Sequence, residues 1–242
     1  MNRASAVWVR KALPPAICAI TLSTPLVVWL SSTGDLYVYF TRAVPPGQTL
    51  YVLSKFFALA AIVMFWFQCM SALAKDTPVL RGFFRLSPPR HAIFGMATFA
   101  AVLTHVLLFV AASAMRTSHV SLDVLTPRFD HGFYRTYLSL GAIAFWILLI
   151  VVFAGWKRLR NAPRWRWAHR LGFAVFALAF LHGVNVGSET RFGFMKYTYA
   201  FIGLSVGAAV ASRLWVAAQR YRRSAPGAGT SHARTQSIVS ID

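Results

Sequence analysis

Acidic residues are scarce in this chain, and charged residues of either sign are few. The 242 residues include 6 Asp and Glu against 25 Lys and Arg, and charged residues make up 13% of the total. A soluble domain carries about 25% charged residues, so this composition excludes an ordinary soluble domain and indicates a membrane protein. The basic residues lie in short gaps between long apolar runs. That placement favours a membrane surface rather than a nucleic acid as the partner of the basic residues, so no nucleic-acid partner is expected.

Cysteine motifs and nucleotide-binding motifs are missing as well. Cys18 and Cys69 each lie inside an apolar run without CxxC spacing, which indicates neither a disulfide framework nor a zinc site. No GxGxxG motif opens a βαβ unit, so we expect no FAD or NAD(P) domain in this chain.

Long apolar runs are what the sequence does have. Each is close to the roughly 20 residues that a helix needs to cross a bilayer, and none alternates with period two, so helices are predicted. The runs are residues 12–31, 49–73, 91–114, 137–155, 169–187 and 195–218. The fold class is therefore an all-α, polytopic membrane protein with six transmembrane helices over residues 12–218. We expect residues 1–11 to be a basic cytoplasmic N-terminus, the first run to be a retained helix rather than a signal peptide, and residues 219–242 to be a disordered cytoplasmic tail.

The distribution of basic residues predicts the orientation. Eighteen of the 25 lie at the N-terminus, in the second and fourth loops or at the C-terminal end, and six lie in the other loops. The positive-inside rule then places both termini in the cytoplasm. Lys55 lies one turn into the second run, and we expect its side chain to extend to the outer interface.

Four histidines lie in two of the runs. His91 and His105 are fourteen residues apart in the third run, and His169 and His182 are thirteen apart in the fifth. At 1.5 Å per residue, the members of each pair are about 20 Å apart along their helix. Both helices cross the membrane in the same direction. His91 and His169 are thus level near the cytoplasmic side, and His105 and His182 are level near the outer side.

Two imidazoles at one depth can bind opposite faces of one haem. Two such pairs of histidines would bind two b-type haems. Because neither iron has an open coordination position for a substrate, the chemistry indicated is electron transfer. Arg90 and Arg170, next to the inner histidines, can neutralise haem propionates. The alternatives for histidines in a membrane are hydrogen-bonded packing, a proton relay or a transport path. A spacing of fourteen returns to within about 40° of one helix face, whereas thirteen misses by about 140°. The fifth helix must therefore tilt or deform, or its side chains must reach around, and Gly172 and Gly183 can permit this.

Two stretches carry a family resemblance. TPVLRGFFRLSPPRHAIFGMATFAAVLTHVLLF and WRWAHRLGFAVFALAFLHG resemble the ferric reductase-like transmembrane domain. This family includes NADPH oxidases, ferric-chelate reductases and the haem-binding membrane subunit of the bacterial methionine sulfoxide reductase system. The resemblance covers residues 49–215 and implies that His91 and His169 bind an inner haem, and His105 and His182 an outer one. Ala92 departs from the pattern, since the family often has arginine after the first ligand.

The resemblance also implies electron partners. A separate flavoprotein reductase or membrane quinol would supply electrons from the cytoplasmic side of the inner membrane. A ferric chelate, dioxygen or a periplasmic redox protein would accept them outside. Three rival interpretations stay open: a single-haem subunit of a methionine sulfoxide reductase-type system, a proton-coupled transporter that uses the histidines as a relay, and a scaffold subunit. A quinol cytochrome of the b561 type is a further redox alternative.

Overall fold

Helices make up every regular element that the structure describes. This computed structural model describes residues 3–74, 78–120, 122–130, 132–157, 165–191 and 193–224. The α-helices are α1 (Arg3–Thr33), α2 (Leu36–Thr41), α3 (Gln48–Leu73), α4 (Pro78–Phe84), α5 (Pro88–Thr117), α6 (Gly132–Lys157), α7 (Trp165–Arg170), α8 (Gly172–Val186), α9 (Ser188–Arg191) and α10 (Met195–Ser224), with a short 3₁₀ helix at Leu122–Leu125. The predicted all-α class is confirmed over these ranges.

Five helical segments are long and apolar enough to cross a bilayer. They are Gln48–Leu73, Pro88–Thr117, Gly132–Trp156, Trp165–Val186 and Met195–Arg222, and they correspond to the second to sixth predicted runs. The first run forms the 31-residue helix α1. The apolar part of α1 whose side chains the structure describes, Ala19–Thr33, is shorter than a span. The sixth span and the orientation of the termini therefore stay predictions.

Helix α3 is the centre of the bundle. Half of its most apolar stretch is buried, against 11% for the corresponding stretches of α5 and α10. Trp66 of α3 is fully buried, its ring packs edge-on against Phe84 and Phe201, and its indole nitrogen donates to Ser205 Oγ at 2.8 Å. Large apolar side chains such as Leu204 are exposed on the outer helices, as expected where lipid rather than water covers the protein.

The fifth predicted helix is interrupted between its two histidines. It consists of α7 and α8, separated at Leu171. The Leu171 amide donates to the Ala168 carbonyl at 3.1 Å, which is the tighter i to i−3 contact of a 3₁₀ turn. One such step adds only about 20° to the rotation of an α-helix. The interruption therefore supplies a small part of the missing rotation.

Two helices extend beyond the apolar runs that predicted them. Helix α1 begins at Arg3, inside the stretch expected to precede the first helix, and α10 continues to Ser224, past residue 219 where the tail was expected to begin. Alanine, glutamine and arginine near the end of α10 are good helix formers, which explains the continuation. Residues 225–242 lie outside the described residues.

Candidate functional site

The first candidate site is formed by His91 of α5 and His169 of α7. Their imidazole ring centres are 6.1 Å apart, with an angle of 78° between the ring planes. If two imidazoles bind one metal ion from opposite sides at about 2 Å each, their ring centres lie about 6 Å apart, because each centre is about 1 Å behind its ligating nitrogen. The observed separation matches this arrangement. The structure thus brings together the two histidines that the sequence placed at one depth.

The second candidate site is a cavity lined by His105 of α5 and His182 of α8. Its volume is about 200 Å³, and it lies between α3, α5, α6 and α8. Most of its wall is apolar; side chains from all four helices contribute, including Phe65, Val102, Phe145, Leu148 and Val175. The other predicted pair therefore faces one shared, mainly apolar space, at the opposite end of the helices from His91 and His169.

Backbone carbonyls fix the tautomer of the two cavity histidines. The Nδ1 atom of His182 lies 2.9 Å from the Tyr137 carbonyl oxygen, and that of His105 lies 3.1 Å from the Ser54 carbonyl oxygen. A carbonyl oxygen can only accept a hydrogen bond, so Nδ1 carries the proton in both rings. The lone pair of each neutral ring is then on Nε2. This is the arrangement in which a histidine binds a metal with its other nitrogen held by an outer hydrogen bond.

His169 is held in the same way but more loosely. Its Nδ1 atom lies 3.5 Å from the Val151 carbonyl oxygen, at the outer limit for a hydrogen bond. Its ring also lies 5.6 Å from the ring of Trp165, one turn earlier in α7. Aromatic contact therefore contributes to the orientation of His169 where the hydrogen bond is weak.

Two polar residues of α3 flank the two histidines of α5. Ser54 Oγ donates to the His105 carbonyl oxygen at 3.1 Å and lies 2.9 Å from His105 Nδ1. Gln68 Nε2 donates to the His91 carbonyl oxygen at 3.3 Å. Ser54 and Gln68 are fourteen residues apart, as His91 and His105 are, so one face of α3 follows the histidine face of antiparallel α5. Gln68 Oε1 is buried without a hydrogen-bond partner.

Two glycines of α6 lie against the histidines of α7 and α8. A Cβ atom on Gly141 would lie 2.7 Å from His182 Nδ1, and one on Gly155 would lie 3.8 Å from His169 Nδ1. These glycines are also fourteen residues apart. Sequence reasoning missed Ser54, Gln68, Gly141 and Gly155; their shared spacing of fourteen becomes informative only once the packing of α3 on α5 and of α6 on α8 is known.

A buried ion pair lies at the second site. Lys55 Nζ pairs with Glu189 of α9, whose carboxylate is 8% exposed and also accepts from Ser188 Oγ at 2.8 Å. Lys55 and Glu189 both line the cavity of His105 and His182. The Glu189 carboxylate therefore holds the Lys55 ammonium group at the cavity, while the Lys55 side chain stays 26% exposed. That Lys55 extends to the outer interface stays a prediction. Sequence reasoning missed Glu189.

The two arginines predicted to contact propionates are exposed. Arg90 begins α5 next to His91, and Arg170 ends α7 next to His169. The Arg170 guanidinium lies 4.7 Å from the centre of the Trp167 ring, a cation–π contact. Their role at a cofactor stays a prediction. Across the described ranges, no group of three or more His, Cys, Asp and Glu side chains is arranged to hold a metal ion.

Comparison with known proteins gives one match. A family model described as ferric reductase like transmembrane component matches residues 57–180, just over half of the chain. The matched range contains His91, His105 and His169 and ends two residues before His182. No curated protein and no solved structure matches the chain.

Proposed function

Because the chain belongs to the ferric reductase-like transmembrane family, we propose that it is a b-type cytochrome of the inner membrane that carries electrons from a cytoplasmic-side donor to an outer-side acceptor. The single observation that carries this proposal is the 6.1 Å separation of the His91 and His169 rings. It fits two axial ligands of one iron, and the family supplies the transmembrane redox context.

The residues of both sites fit haem. His91 and His169 would hold the inner haem, and His105 and His182 the outer one, each through Nε2. The defined Nδ1 hydrogen bonds of His105 and His182 and the apolar wall of their cavity support the outer assignment. Haem with two imidazole ligands supplies one-electron transfer with no open iron position for substrate. The surrounding helices exclude water and keep the ligand rings oriented.

The donor and acceptor belong to other molecules in this proposal. A flavoprotein reductase would dock on the basic cytoplasmic loops, or membrane quinol would donate directly. The acceptor outside would be a ferric chelate, dioxygen or a periplasmic redox protein. The chain then acts as an oxidoreductase subunit that needs a separate electron-donating partner, and lipid surrounds its helices.

The deciding experiment is a reduced-minus-oxidised absorption spectrum of the detergent-purified protein with haem quantified per chain. We expect a low-spin b-type spectrum and two haems. His105→Ala and His182→Ala should each remove one haem. His119→Ala is the matched control, because His119 is exposed in the loop after α5 and its ring bonds only locally, to the Thr117 carbonyl; it should keep both haems.

One observation favours a second candidate, the single-haem subunit of a periplasmic methionine sulfoxide reductase-type system. His182 lies outside the matched range of residues 57–180, so the family match supports the inner pair more fully than the outer one. One haem per chain, retained in His182→Ala, would select this candidate. A colourless protein after expression with ample haem would contradict both redox functions and favour the histidine-relay transporter.

A further inference from the structure

Helix α6 contains two sites of the same construction. At each, a backbone carbonyl faces the Nδ1 atom of a histidine, and a glycine stands four residues later: Tyr137 with Gly141, and Val151 with Gly155. The two sites are fourteen residues apart and therefore lie on nearly one face of α6. That face receives His182 at one end and His169 at the other.

The glycine has a geometric reason at this position. In an α-helix the carbonyl of residue i points toward the amide of residue i+4, so the side chain at i+4 stands beside that oxygen. A glycine there leaves the carbonyl open to a second donor. At Gly141 the three atoms nearest to an added Cβ all belong to the His182 imidazole: Nδ1 at 2.7 Å, and Cε1 and Cγ at 2.9 Å each. A methyl group in that place would overlap the ring.

General helix packing does not explain this contact equally well. Small residues in membrane helices usually let two backbones approach each other, and neighbouring backbone would then be the nearest atoms. Gly141 instead meets one side chain, and it is the side chain of a predicted ligand. Glycine is also a poorer helix former than alanine. A gain elsewhere must offset that disadvantage.

We infer that Gly141 is a positioning residue for His182: it admits the imidazole edge to the Tyr137 carbonyl, which fixes the Nδ1 proton and aims Nε2 into the cavity. This inference rests on the proposed function for the identity of the ligand that Nε2 meets. Gly155 stands in the same relation to His169 with more room, since its added Cβ would be in ordinary contact at 3.8 Å. The two glycines therefore differ in how much they constrain their histidine.

The test is Gly141→Ala, with Gly207→Ala of α10 as the matched control, because a Cβ added at Gly207 would meet nothing within 4 Å. We expect Gly141→Ala to lose the outer haem, or to keep it with an altered midpoint potential and an altered low-spin EPR signal. The inner haem should keep its potential and signal. Gly207→Ala should keep both haems unchanged. Two haems with unchanged potentials and EPR signals in Gly141→Ala would overturn the inference.

A second measurement keeps the inference separate from the proposed function. The apparent Tm is compared for Gly141→Ala in the native chain and in the His182→Ala chain, all freed of cofactor. We expect Gly141→Ala to lower the Tm of the native chain by about 2–4 °C, the shift that 1 kcal/mol causes in a chain of this size, and to leave or raise the Tm once the imidazole is gone. Equal effects in both backgrounds would contradict the inference, even if the protein held no haem. A wild-type chain without haem would contradict the proposed function alone.

Discussion

Lys55 of α3 and Glu189 of α9 form an ion pair at the wall of the cavity that His105 and His182 share. The two residues are far apart in the chain: Lys55 lies near the start of α3, and Glu189 lies in the short helix that follows α8. Glu189 is buried together with its neighbour Thr190, whose hydroxyl donates to the Gly187 carbonyl at 2.8 Å. The pair is therefore a fixed, mutually neutralised charge beside the proposed outer haem.

The Lys55–Glu189 pair predicts opposite potential shifts for its two single variants. Glu189→Gln leaves a cation at the cavity, which favours the reduced form and raises the outer midpoint potential. Lys55→Met leaves an anion and lowers it. Each shift should be on the order of tens of mV, because the charge acts through a medium less polar than water. Potentiometric titration of the outer haem measures both.

The double variant Lys55→Met/Glu189→Gln is the control for that prediction. It restores local neutrality, so the outer potential should return close to the wild-type value. Each single variant should also lower the free energy of unfolding by about 1–3 kcal/mol, less than for a fully buried pair because the Lys55 side chain is 26% exposed. Shifts of the same sign in both single variants would contradict the electrostatic account.

The histidine arrangement could be predicted from the sequence because it depends on periodicity alone. Equal depth follows from helix direction and from the spacing of His91, His105, His169 and His182, and the structure places His91 beside His169 and His105 across one cavity from His182. The spacing also indicated that the fifth helix deforms or that its side chains reach around, but it did not locate the interruption at Leu171. Residue order along a regular helix is local information, which a single sequence contains.

The partners of those histidines could not be predicted in the same way. Glu189 meets Lys55 only because α9 folds back over the end of α8, and the sequence gives no sign of that tertiary contact. Serine and glycine are common in membrane helices, and glutamine there can serve helix packing by hydrogen bonds between helices. Ser54, Gln68 and Gly141 therefore give no signal until the packing of α3 on α5 and of α6 on α8 is known. A spacing of fourteen residues within one helix indicates a site only when the helix packed against it carries its site residues at a similar spacing.

The pairing of His91 with His169 predicts that a variant of either residue loses the inner haem alone. His169→Ala should reduce the haem content from two per chain to one and leave a single wave in a potentiometric titration, at the wild-type outer potential. Reduction by FMNH₂ added to the cytoplasmic side of oriented proteoliposomes should fall to the rate of protein-free vesicles, since the entry site is gone. His119→Ala should behave as wild type. Loss of both haems in His169→Ala, with the fold intact by circular dichroism, would mean that the two sites do not bind independently.

The arginines beside the inner pair predict a salt-dependent shift. Arg90→Gln and Arg170→Gln each remove a positive charge next to an inner ligand, which disfavours the reduced form and lowers the inner midpoint potential. Both side chains are exposed, so the shift should be tens of mV at most at low ionic strength and should shrink at 1 M salt, where the screening length is about 3 Å. Arg116→Gln is the control, because Arg116 bonds to Gln48 at the other end of α5 and α3. An inner potential unchanged in both variants at low salt would place the propionates elsewhere.

Ser54 predicts a smaller, upward shift at the outer haem. Its hydroxyl lies 2.9 Å from His105 Nδ1 and its carbonyl 3.1 Å from the same atom, so two oxygens share one N–H group. An acceptor at Nδ1 makes the imidazole a stronger electron donor to a metal, which stabilises the oxidised form. Ser54→Ala removes the hydroxyl and keeps the carbonyl, so the outer potential should rise by less than about 60 mV, the value of a tenfold change for one electron. The midpoint potential of the inner haem should stay constant. Ser54 lies at one end of α3, whereas the inner ligand His91 of α5 is bonded to Gln68 at the other end of α3. A fall of the outer potential in Ser54→Ala would mean that the hydroxyl acts as a donor to the ring, and that the tautomer of His105 is the reverse of the one assigned here.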